Sequence, residues 1–149
     1  MSEDVDDAAL IERFPYVRID HDSKHFYRGW LDERLLFNRC DACERFHHPP
    51  KPVCPSCWCA SLTPTEVSGR GVIHLAMFLH QGPPAPGVDY AMAAHPVVAV
   101  ELEEQEGLRF TSTVIGCPRE AIRIGLPVEL GWVERFGAPF PVFRPVEGS

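Results

Sequence analysis

Cys40-Asp-Ala-Cys43 and Cys54-Pro-Ser-Cys57, with ten residues between the pairs, are the side chains whose type and spacing specify chemistry most directly. Each CxxC holds two sulfurs on a tight turn whose backbone amides point at them, and folding back the spacer brings all four onto one tetrahedral ion. A structural zinc ion is the expectation. Ligand type alone leaves iron open, because a Cys-Pro-x-Cys knuckle also serves redox iron. Reduced thiol pairs or disulfides are the other alternative, and the acidic start of the chain, without a positive region followed by an apolar one, argues against secretion and for a cytoplasmic protein. Four thiolates close the coordination sphere, so zinc here would hold the fold and not activate water or substrate. His47, His48 and Cys59 are further donors nearby, but the four cysteines already complete a site.

Catalytic chemistry is sparse elsewhere. Cys117, in Gly116-Cys117-Pro118, sits where a strand-end nucleophile could sit, yet no base is evident beside it. Glu103, Glu104 and Glu106 precede Gly107 in an expected hairpin turn and read as solvated. No phosphate loop, GxGxxG or Ser-His-Asp pattern is present. The net charge of −7 opposes the attraction that drives nucleic-acid binding. No apolar run reaches the ~20 residues of a membrane span.

These residues must be positioned by short elements. The fold class expected is mainly β: an N-terminal helix and zinc ribbon followed by a five-stranded OB-fold barrel. Residues 1–21 read as a mobile acidic tail, 22–63 as helix plus ribbon, and 64–149 as the barrel domain. Asp22 or Ser23 can cap a helix to about Asp32, with Phe26, Tyr27, Trp30 and Leu31 on one face. That face either packs on the protein's own ribbon or barrel, or anchors a partner, for which Phe26, Tyr27, Trp30 and Tyr90 are the candidates. Leu35–Arg39 leads into the first knuckle as a strand. Beyond the ribbon the period becomes two, so Ile73, Leu75, Met77 and Leu79 are expected to share a core face, after a bend at Gly69-Arg70-Gly71. Further strands read at 97–103, 108–115, 128–135 and 140–144, with a short helix at 118–123, which is the order of elements in an OB-fold. The loop 81–94 is longer than a hairpin needs and borders the expected binding face with Phe78, His80 and Tyr90.

Phe26-x-x-x-Trp30-Leu31, Leu35, the two CxxC pairs with Pro49-Pro50-x-Pro52 before the second, Ser68-Gly69-Arg70-Gly71, Val97-Val98-Ala99-Val100-Glu101-Leu102 and Arg123-Ile124-Gly125-Leu126-Pro127-Val128 follow one another in an order that resembles a known family. It is that of the acyl-CoA-associated OB-fold proteins with an N-terminal rubredoxin-like zinc ribbon, long labelled a domain of unknown function. The likeness covers about Asp20 to Phe143. It implies a noncatalytic subunit that joins a thiolase-like protein (thiolase, aldolase, synthase or acyltransferase) in a hetero-oligomer and helps form its acyl-CoA site. Such assemblies include carbon–carbon lyases of steroid and lipid side-chain degradation, with the catalytic residues on the thiolase-fold partner. An anionic CoA needs cations, and Arg39, Arg45, Lys51 and Arg70, with Phe78 and His80, are the candidates. A single-stranded nucleic-acid binder is the alternative reading, since OB-folds and ribbons both serve there, although the acidic charge argues against it. The chain departs from the family pattern in carrying Glu44 and Trp58 where glycine often follows each knuckle. Either these residues take a left-handed turn at some cost, or Trp58 and Cys59 reshape the second knuckle.

Overall fold

A computed structural model of the chain describes residues 5–80 and 94–147. It divides into two compact units, one comprising the chain to Val67 together with Phe136–Pro139, the other Ser68–Arg135 and the chain from Phe140 onward.

The first unit begins where the sequence predicts a mobile tail, and the structure corrects that expectation. Helix α1 spans Asp7–Arg13, capped by the Asp6 carboxylate accepting the Ala9 N–H at 2.8 Å. Leu10 and Phe14 of this segment are fully buried. Asp7 ties α1 to helix α2 (Lys24–Leu31) through Arg28 at 2.6 Å and Lys24 at 3.5 Å. Ser23 stands at the cap position of α2, but its hydroxyl accepts the Asp20 N–H at 3.0 Å, while the Asp20 carboxylate accepts from Asp22 and Ser23. The turn is therefore organised by Asp20 and not by a side-chain cap on the helix.

The apolar face of α2 packs inward, on aromatic partners contributed by this same unit. Phe14 meets Trp30 edge-on at 5.5 Å, Phe26 meets Phe37 at 6.1 Å, and His48 stacks flat on Phe37 at 4.5 Å. The unit also holds a three-stranded antiparallel sheet in the order β2 (Phe46–His47), β1 (Leu36–Cys40), β3 (Leu62–Glu66). Strand β3 pairs with β1 along its whole length, from Leu36 opposite Glu66 to Cys40 opposite Leu62. Residues 64–66, expected to open the barrel domain, continue this ribbon strand, with Pro64 opposite Asn38 at its middle.

The second unit is built on a five-stranded sheet in the order β6 (Arg109–Ser112), β5 (His95–Leu102), β4 (Gly71–Leu79), β7 (Pro127–Arg135), β8 (Ala138–Pro145, of which the part from Phe140 belongs to this unit), with β6, β5, β4 and β7 antiparallel to their neighbours in that run. It curls until β8 meets the segment after β6: a parallel bridge joins Val114 to Phe143, and the Ser112 hydroxyl donates to the Pro141 carbonyl at 2.6 Å. This is the expected OB-like barrel, nearly closed. Ile73, Val98, Val100, Val128, Val142 and Phe143 fill its interior. The expected helix at 118–123 shrinks to a single 3-10 turn at Arg119–Ala121.

Two glycines in the Gly69-Arg70-Gly71 entry are required by geometry. Gly69 has φ +82, and a Cβ there would collide with Leu130; at Gly71 it would collide with the Glu101 carbonyl on the neighbouring strand. Close backbone approach of this kind is what only glycine permits.

Strand β4 overturns the period-two reading. A bulge falls between Ile73 and Leu75, so the residues beyond it change face. Ile73 is buried as expected, but Leu75 and Met77 point outward.

Candidate metal centre and its surroundings

The four cysteine sulfurs of Cys40, Cys43, Cys54 and Cys57 all lie within 4.8 Å of one another. Cys40 Sγ is 3.4 Å from Cys57 Sγ, and Cys43 Sγ is 3.6 Å from Cys54 Sγ. A tetrahedral zinc with bonds of about 2.3 Å needs sulfurs about 3.8 Å apart, so the four donors fit the ion with little adjustment. The two knuckles are built alike. The Cys40 carbonyl accepts the Glu44 N–H and the Cys54 carbonyl accepts the Trp58 N–H, both at 2.9 Å. Amides of Cys43 and Ser56 approach the sulfurs of Cys40 and Cys54 at 3.5 and 3.4 Å.

The electrostatics agree with the donor set. Backbone N–H groups, led by that of Cys43, hold the Cys40 thiol at about 6, and the Cys57 amide likewise lowers Cys54. At Cys57 the Cys59 amide pulls the thiol down, but the neighbouring Cys40 and burial outweigh it and push it up to about 12. Four adjacent sulfurs cannot all ionise without a cation among them, and a divalent ion resolves the conflict.

Left-handed backbone is the solution this chain adopts after each knuckle: Glu44 has φ 64 and Trp58 has φ 69. The knuckles are thus not reshaped around Trp58 and Cys59. Cys59 contributes through its backbone, its carbonyl accepting the Cys54 N–H at 2.8 Å, while its thiol faces Ser61. His48 lies among Phe26 and Phe37, with burial pushing its imidazole down to about 4, and is not a donor in the cluster.

The other candidates are not gathered into one site. Phe26 and Trp30 are buried in their own unit, which corrects the reading of them as an exposed partner anchor; Tyr27 is half-buried beside Phe14 and Trp30. Tyr90, with the rest of 81–93, lies outside the described residues. Among the proposed acyl-CoA contacts, Arg39 lies over Phe46 and donates to the Glu44 carbonyl at 3.1 Å. Arg45 is exposed, and Lys51 lines a cavity of about 290 Å³ in the ribbon unit with His21, His25 and Asn38. Arg70 pairs with Glu103 at 3.1 Å just before β4, whereas Phe78 and His80 stand at the other end of that strand. At ~3.3 Å per residue this separates Arg70 from Phe78 by roughly 26 Å. The sequence reading missed Arg119, whose guanidinium lies 4.4 Å from the Phe78 ring centre. Its position one residue after Pro118, on a turn, gave no periodic signal.

Comparison with known proteins agrees with this architecture. Residues 28–63 match the family model for the ChsH2 rubredoxin-like zinc ribbon domain, and residues 64–133 that for the ChsH2 C-terminal OB-fold domain. The chain is 33% identical over 132 residues to a probable enoyl-CoA hydratase alpha subunit of Thermomonospora curvata, covering 88% of this chain but only 40% of that protein's length. It is 30% identical to a DUF35 domain-containing scaffold protein of Methanocaldococcus jannaschii, over 71% of this chain and 75% of the relative. A solved structure described as the Ltp2-ChsH2(DUF35) aldolase superposes with a TM-score of 0.76 at 33% identity, covering 87% of this chain and 98% of that one. With both domains matched in order and the four metal ligands converged, the chain belongs to the DUF35 family of ChsH2 type, a rubredoxin-like zinc ribbon followed by an OB-fold.

Proposed function

We propose that this chain is a noncatalytic accessory subunit that binds a thiolase-fold enzyme and helps form its acyl-CoA site, in a carbon–carbon lyase or acyltransferase assembly of steroid or lipid side-chain degradation. The observation that carries the reading is the likeness, over 87% of this chain and 98% of the other, to a chain of a structure described as an aldolase of two named components. The zinc ion holds the knuckles closed and takes no part in bond making, since all four donors come from the protein. Burial raises the Cys117 thiol above its usual range, which makes it a poor nucleophile. The acyl-CoA contact belongs, in this reading, to the barrel unit, where Arg119 over Phe78 offers a guanidinium edge to phosphate beside an aromatic face.

The test is a reconstitution. The purified chain, alone and mixed with a purified thiolase-fold protein that copurifies with it, is assayed for retro-aldol, thiolytic and acyl-transfer turnover of acyl-CoA thioesters. Turnover by the mixture, with none from the chain alone, supports the proposal. Substantial turnover by the chain alone sinks it.

A further inference from the structure

The outer face of the barrel's two central strands carries a surface that neither the metal centre nor the acyl-CoA contact uses. The bulge in β4 reverses its phase, so that Val72, Leu75 and Met77 all face outward, exposed by 42%, 56% and 57%. Across the strand pair, Ala99 stands opposite Leu75 and Val97 opposite Met77, and both are half-buried on the same face because their neighbours Val98 and Val100 point into the core. Single exposed apolar residues are ordinary; a row of them on the middle strands of a sheet, maintained by a bulge, marks an interaction surface.

We propose that this strip of Val72, Leu75, Met77, Val97 and Ala99 is the docking surface for a protein of different sequence, whose matching patch is apolar and poor in charge. The inference rests on the proposed function in taking that protein to be the thiolase-fold subunit. The occupant's chemistry follows from the charges around the strip. Glu101, opposite Val72, is paired with Arg109 at 3.4 Å, and Arg70 beyond the end of the strip is paired with Glu103 at 3.1 Å. These ions satisfy one another within the chain, and form a polar rim that asks for no complementary phosphate or anionic lipid. A second copy is disfavoured because each chain carries a net charge of −7, and bringing two together opposes like charge with like.

Two measurements test the proposal. In the unmodified chain, peroxide converts the exposed Met77 thioether to the sulfoxide, read by peptide mass spectrometry; bound thiolase-fold subunit is expected to slow this at least tenfold. In the double variant Leu75→Ser/Met77→Ser, melting is expected to stay near that of the wild type, because both side chains are already more than half exposed. Its affinity for the same subunit, by calorimetry, is expected to fall by about 30-fold or more, the range of an interface hot spot. Unchanged Met77 oxidation in the complex, or unchanged affinity of the variant, overturns the docking face while leaving the accessory-subunit reading intact. A wild-type homodimer in sedimentation that the double variant abolishes assigns the strip to a second copy and overturns the proposal. Failure of any thiolase-fold protein to bind removes the proposed function and this inference together.

Discussion

Glu44 and Trp58 occupy left-handed backbone, at φ 64 and φ 69, because the amide after each knuckle must turn back toward the sulfurs. For a residue with a Cβ that conformation costs about 1–2 kcal/mol, of which glycine's greater freedom in the unfolded chain returns part. Trp58 is 82% exposed, so little packing is lost with its ring. Trp58→Gly and Glu44→Gly are each expected to raise the stability of the zinc-loaded protein by about 0.5–1 kcal/mol in denaturant titration; a loss at either position would mean that its side chain makes a compensating contact. His48 gives a pH dependence. Burial holds its folded pKa at about 4, against an ordinary value of 6.5, so the native state keeps it neutral while the unfolded chain takes up a proton. Its contribution to stability is therefore fully present above pH 6.5 and is lost as pH falls from there toward 4, by on the order of 3 kcal/mol in all. Comparing wild type with His48→Phe, which preserves a ring on Phe37, isolates this from acid release of zinc: the variant's stability is expected to vary less over that window.

At the scale of elements, Trp30 and Gly71 show how packing decides what pattern leaves open. The helix face of Phe26, Tyr27 and Trp30 is plain in the sequence, but periodicity cannot say what covers it. The answer comes from Phe14 and Leu10, in a segment whose acidic residues mask the signal of an Asp6 cap followed by apolar positions one turn apart. Trp30 is 4% exposed, so Trp30→Ala is expected to lower the chain's own stability by roughly 3–5 kcal/mol, seen as a fall in melting temperature before any effect on a partner. The Gly-Arg-Gly entry was legible as a bend, whereas the reason for Gly71, the carbonyl of Glu101 against it, depends on a strand that comes later in the chain. Gly71→Ala must push β4 from β5 and is expected to cost on the order of 1–3 kcal/mol by thermal melting. The bulge in the same strand was not legible, since the alternation of Ile73, Leu75 and Met77 continues through it in sequence and changes face only in pairing.

For the whole molecule, the metal ligands and the order of the barrel strands could be read directly because each is a local signal: a fixed cysteine spacing, or a run of alternating residues between turns. The placement of the cations could not, because charge on a strand end says nothing of which end of the barrel it meets; Arg70 and Phe78 stand at opposite ends of β4. The two compact units have separate apolar cores, one aromatic around Phe14, Phe26 and Phe37, the other aliphatic around Ile73, Val98 and Val128. A ribbon with three short strands depends on its metal, since an ion bound only by the folded state contributes its binding energy to folding, on the order of 10 kcal/mol for comparable peptides. The barrel sheet supplies none of the four cysteine donors. Cys54→Ser is therefore expected to release close to one zinc per chain, measured by elemental analysis, and to expose the amides of Leu36–Cys40 to rapid hydrogen exchange. Amides of Val98–Leu102, at the centre of the barrel sheet, are expected to stay protected in the same sample. Simultaneous loss of protection in both segments would mean that the two units fold as one, and retention of zinc would mean that Cys59 can replace the missing ligand.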